Sequence, residues 1–86
     1  MREIVILYVK PEQKMDWKEY IESTSEVLRG KPRIKNTRIP VSLILGYLAD
    51  DYSTEEIISE FPGLKKDHIS ACLHFARDLS EYELAA

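Results

Sequence analysis

Hydrophobic positions change their spacing several times along this chain. Near the start, Ile4-Val5-Ile6-Leu7-Tyr8-Val9 is an unbroken apolar run, β-branched and aromatic, bounded by Lys10-Pro11. That pattern predicts a strand over residues 3–9. No polar residue alternates within it, so both faces require cover. A chain of 86 residues has little material to supply that cover, and a homodimer joined through Ile4, Val5, Ile6, Leu7, Tyr8 and Val9 is the expected solution. Residues 13–25 are polar and interrupted, with Trp17, Tyr20 and Ile21 as anchors and helix and strand both open.

Prolines at 32 and 40 exclude a helix interior between them. Lys35-Asn36-Thr37, set between Ile34 and Ile39, reads as a turn, with Asn36 the residue best able to accept a left-handed backbone. Short β-arms or a hairpin are therefore predicted between residues 26 and 40. From Pro40 the spacing becomes helical. Val41, Ile44, Leu45 and Leu48 share one face, Leu43 and Tyr47 add a second, and Ser42, Gly46 and Ala49 form a stripe of small residues. A helix near 41–51, apolar nearly all round, is expected to be central and buried.

Ser53 and Glu56 have the spacing of a capping box and open a second helix near 54–61, closed by Pro62-Gly63. A third helix is predicted near 66–80, its inner face formed by Ile69, Cys72, Leu73 and Ala76. It opens on Lys65, a weak capping residue. The whole reads as one compact, mainly α domain: a strand and basic β-arm region over 1–40, then a three-helix unit over 41–86.

Charge sharpens this picture. The chain carries twelve basic and fifteen acidic residues, yet residues 27–49 hold Arg29, Lys31, Arg33, Lys35 and Arg38 and no acid. Such a basic arm on an acidic body is a handle for something anionic, either an outside partner or the protein's own acidic surface. The longest apolar run is too short to span a bilayer, and no membrane partner is expected. One cysteine cannot make an internal disulfide, which fits the reducing cytoplasm.

Candidate catalytic material is sparse. His68 and Cys72 stand four apart on the third helix, but two ligands make a poor zinc site, and no orienting group accompanies them for nucleophilic chemistry. With glycine only at 30, 46 and 63 there is no phosphate-cradling loop. Neither an enzyme nor a cofactor nor a metal is expected. The more specific pattern is the pair of helices joined at Phe61-Pro62-Gly63-Leu64, with Ile57, Leu64, Ile69 and Leu73 at core positions, which has the layout of a helix-turn-helix. In that layout the last helix enters the major groove, and Lys65, Lys66, Ser70, His74 and Arg77 are the side chains it offers to DNA. The alternative is a module that binds protein only and keeps the three helices as scaffold. Glu55, Glu56 and Glu60 on the middle helix weigh towards it, since they would stand near phosphates.

Gly30, Pro32, Ile34, Thr37, Arg38, Ile39, Pro40 and Val41, continued by Ser53, Glu56, Ile57, Phe61, Pro62, Leu64, Ile69 and Ala71, carry a resemblance over residues 30–75. The segment resembles a small prokaryotic family described as a domain of unknown function and as antitoxin-like, akin to VapB-type antitoxins. Two departures stand out: Asn36 replaces the usual glycine before the Thr-Arg pair, and Lys65 replaces a threonine-like helix cap. The resemblance implies a homeodomain-like trihelical fold with a β-arm. It also implies an antitoxin that neutralises a PIN-domain ribonuclease and represses its own operon by binding operator DNA.

Overall fold

Residues 15–81 are described by the structure, a computed structural model. The strand expected over 3–9 lies outside the described residues. Two short strands and three helices build the described part: β1 (Ile21–Glu22), β2 (Arg33–Ile34), α1 (Val41–Ala49), α2 (Thr54–Glu60) and α3 (Lys66–Ser80). Single 3-10 turns at Trp17–Glu19 and Leu28–Gly30 precede β1 and β2.

The β-arms form around the turn that Asn36 makes. Its φ of 63° is left-handed, a conformation in which asparagine is strained less than most residues. Thr37 closes the turn: its hydroxyl donates to the Ile34 carbonyl at 2.7 Å and accepts from the Ile39 amide at 3.0 Å. Ile34 N–H reaches Ile39 O at 3.0 Å, so β2 runs back beside residues 39–40. On its other side β2 pairs antiparallel with β1, placing Ile21 opposite Ile34 and Glu22 opposite Arg33. The undecided stretch before residue 25 thus contains both structures, one 3-10 turn and one strand. Between the strands, Leu28, Arg29 and Gly30 all have positive φ, at 52°, 56° and 81°. Only the glycine is free of steric cost there.

Register explains the core. Ile21 and Ile34 point together into the helices, where Val41, Ile44, Ile57, Leu64, Ile69, Ala71 and Cys72 complete one buried cluster. Arm and helices share that core. The capping box of α2 is present, with Ser53 Oγ accepting from Glu56 N–H at 3.0 Å and Glu56 accepting from Ser53 N–H at 2.8 Å. At α3 only the returning half of a capping box is made: His68 Nδ1 accepts from the Lys65 amide at 2.9 Å, the part Glu56 plays at α2, while the His68 amide is met by the Lys65 carbonyl at 3.0 Å.

Two expectations are corrected. Helix α1 is not buried all round: Val41 and Ile44 are, while Leu43 is 42% exposed and the stripe of Ser42, Gly46 and Ala49 faces outward. Its apolar character exceeds the surface the other elements cover. Leu73 is likewise no core residue, being 49% exposed. The reason lies in the segment before β1. Trp17 packs its ring against Phe75 at 4.8 Å and Tyr20 packs against His68 at 5.6 Å. These two aromatics cover the Ala71 side of α3, so its buried arc runs from Ile69 and Cys72 towards Ala71 and Phe75, away from Leu73.

Candidate nucleic-acid interface

Lys66, Ser70, Leu73, His74 and Arg77 recur at helical spacing on α3 and form one outward stripe. Thr54, Glu55, Lys66, Ser70 and Leu73 line one shallow depression, and Leu73, His74 and Arg77 line the next. The residues nominated for DNA are thus brought together, with Lys65 exposed just before the helix begins. Leu73 sits in their midst. Glu55, at the start of α2, stands beside Lys66 and reduces the positive charge at that end.

The two acids of α3 border the stripe, and each has a partner in the segment before β1. Asp67 faces Tyr20, whose hydroxyl is 3.4 Å from its carboxylate. That negative neighbour raises the Tyr20 phenol from its ordinary value. Asp78 accepts from the Trp17 indole at 2.7 Å and from Arg77 at 3.2 Å. Those two hydrogen bonds hold its carboxyl below the ordinary 3.8. His74 is tied back to its own helix, with Nδ1 2.9 Å from the Ser70 carbonyl, so only the far edge of its ring is free to meet a partner.

The basic arm divides. Arg29, Lys31 and Arg38 are exposed and Lys35 is half-buried. Arg33 leaves the set: it is only 8% exposed, paired to Glu22 at 2.8 Å and bonded to Thr24 Oγ1 at 3.2 Å. The β-ladder places it opposite an acid, and its charge is met inside the protein. This cross-strand pair was the feature missed by sequence reasoning. Its signal was Glu22 and Arg33 each standing beside an apolar anchor, Ile21 and Ile34, which is visible only once those two are aligned.

Cys72 is fully buried, and burial pushes its thiol up to about 12. His68, four residues before it, is engaged as the cap of α3. Among the described residues no three potential metal ligands come together, and no helix is long and apolar enough to cross a membrane.

No curated protein matches the sequence. A solved structure does: the crystal structure of a DUF433 member protein from Anabaena variabilis ATCC 29413. It is similar at 30% sequence identity with a TM-score of 0.67, over 92% of this chain and 73% of that one. The family model described as protein of unknown function (DUF433) matches residues 21–76, from the first residue of β1 to the last turns of α3. By that match, which takes in the arm, the shared core and nearly all of the outward stripe, the chain belongs to the DUF433 family.

Proposed function

We propose that this protein is an antitoxin-like DNA-binding protein of a toxin–antitoxin module. In this reading α2 and α3 act as a homeodomain-like helix-turn-helix, resting on the three-helix core. The stripe of α3 meets operator DNA: Lys65, Lys66 and Arg77 neutralise phosphates, while Ser70 and the free edge of His74 reach base edges. Arg29, Lys31, Lys35 and Arg38 meet the acidic cleft of a PIN-domain ribonuclease. Two copies associate through Ile4–Val9, which doubles the DNA contacts of a protein whose net charge of −3 disfavours binding as a monomer.

The observation that carries the reading is the stripe itself. Three cations and two hydrogen-bonding side chains lie along or just before one helix face; Asp67 is turned to Tyr20 and Asp78 to Trp17, while Asp78 also pairs with Arg77 at the end of the stripe. The test is binding to the DNA upstream of the protein's own reading frame, followed by fluorescence anisotropy through a salt series. Affinity should fall steeply with salt, and Lys65→Glu/Lys66→Glu should weaken binding and flatten the slope. Equal binding by parent and variant would overturn the role of α3. Loss of binding in Lys35→Glu/Arg38→Glu alone would make the arm the DNA-binding element.

Leu73 favours a second reading. A half-exposed leucine at the centre of the stripe suits a protein surface better than a phosphate backbone. In that case the three helices present a dimer or partner surface and touch no nucleic acid. Leu73→Asp then abolishes association while leaving the DNA titration flat throughout.

A further inference from the structure

On the side of α3 away from the stripe, Phe75 and Leu79 line a groove together with Val41 and Leu45 of α1 and with Pro32. Its volume is about 340 Å³. Leu79 is 50% exposed within it, and among the described residues only Lys31 and Ser42, both at the surface, border it with polar side chains. Small-molecule sites of this size carry a few convergent polar groups that orient the ligand. Among the described residues none is aimed into this groove, so its chemistry suits an apolar stretch of polypeptide.

The course of the chain says which one. Trp17 packs edge-on against Phe75 and donates to Asp78, the residue before Leu79. Met15, the first described residue, packs against the same core. The chain therefore enters the described fold beside the groove, and the six apolar residues Ile4–Val9 are joined to that point by residues 10–14. A linker that short spans at most roughly 20 Å when extended. It also holds the segment at an effective concentration in the millimolar range, which a separate molecule does not match at ordinary protein concentration.

We infer that the Ile4–Val9 segment of the same chain docks in the groove formed by Pro32, Val41, Leu45, Phe75 and Leu79. An extended segment sends alternate side chains to opposite faces. One set, Ile4, Ile6 and Tyr8 or Val5, Leu7 and Val9, covers the groove, and the other remains for a second copy. The segment thereby becomes part of the folded unit and presents the apolar face through which two copies meet. This inference concerns the α1–α3 groove alone and stands or falls independently of DNA binding by the stripe.

Disulfide trapping in the full-length protein tests it. Two double variants, Ile6→Cys/Leu79→Cys and Leu7→Cys/Leu79→Cys, sample the two faces of the segment. Leu79 is half-exposed, so its replacement spares the core, and the native Cys72 is buried away from oxidant. Equal amounts of ¹⁴N- and ¹⁵N-labelled protein are mixed, oxidised mildly and digested, and the cross-linked peptides are weighed. One of the two variants should give a bridge to position 79 in which both peptides carry the same isotope, at a yield independent of protein concentration. Leu7→Cys/Leu43→Cys, which joins the segment to a different face of α1, should give none. Bridges to position 79 of mixed isotope would show the occupant to be a second copy and overturn the same-chain assignment. No bridge to position 79 in either variant would overturn the groove as the docking site.

Discussion

Arg33 and Asp78 show how single side chains divide their work between fold and surface. The Arg33 guanidinium is held between Glu22 and Thr24, with its side chain 9% and that of Glu22 31% exposed. Truncation leaves Glu22 without its partner beside the core, so Arg33→Ala should cost about 1–3 kcal/mol in urea unfolding. The same change should leave the salt slope of any DNA binding unaltered, since the arginine faces inward. Asp78 predicts a pH response. Its carboxyl is held below 3.8 in the folded protein by the Trp17 indole and by Arg77. A depressed folded value means that its contribution to stability is complete above the ordinary carboxylate range and is lost as pH falls through the folded value. Trp17 is the single tryptophan, so its fluorescence reports this anchor directly. An emission change on the acid side of 3.8 is expected, and Asp78→Asn should remove it.

Among the elements, α2 depends most on its ends. It has seven residues, too few for a helix to persist on propensity alone, and a single fully buried side chain, Ile57. The reciprocal bonds of Ser53 and Glu56 supply much of what holds its first turn. Ser53→Ala should destabilise the protein by about 1 kcal/mol, measurable as a lower urea midpoint at unchanged slope. Helix α3 makes only half of that arrangement, because His68 accepts from Lys65 N–H as Glu56 does from Ser53 N–H, and no N-cap side chain accepts from its first turn. The Lys65 side chain is exposed at the head of the stripe. The α2 cap was legible because both partners have a standard spacing; the α3 cap was not, because histidine rarely plays that part.

Over the described residues, the arm and the three helices share one buried cluster through Ile34. It is completely buried between β1 and the helices. Ile34→Ala should cost about 2–5 kcal/mol and lower the midpoint of a single transition seen alike by Trp17 fluorescence and circular dichroism. Leu73→Ala should change stability by less than about 0.5 kcal/mol, since that side chain stands on the surface. A large loss at Leu73 would return it to the core and undo the outward stripe. The two variants together measure which arc of α3 is buried.

Much of this fold follows from local chemistry. The helix bounds come from apolar spacing, from Ser53 and Glu56, and from Pro62-Gly63; the turn comes from Asn36 and Thr37. Each depends on residues within a few positions of one another, so neighbouring identities suffice to determine it. The opposition of Glu22 to Arg33 and the packing of Trp17 and Tyr20 on α3 join residues far apart in the chain. No periodicity encodes them. Those long-range contacts decide which side of α3 is covered, and so which side chains, Leu73 among them, are left to face a partner. They also take Arg33 out of the basic arm. Local pattern determines where helices and turns lie, whereas the surface they present depends on what packs on them, and that is settled only when distant segments meet in three dimensions.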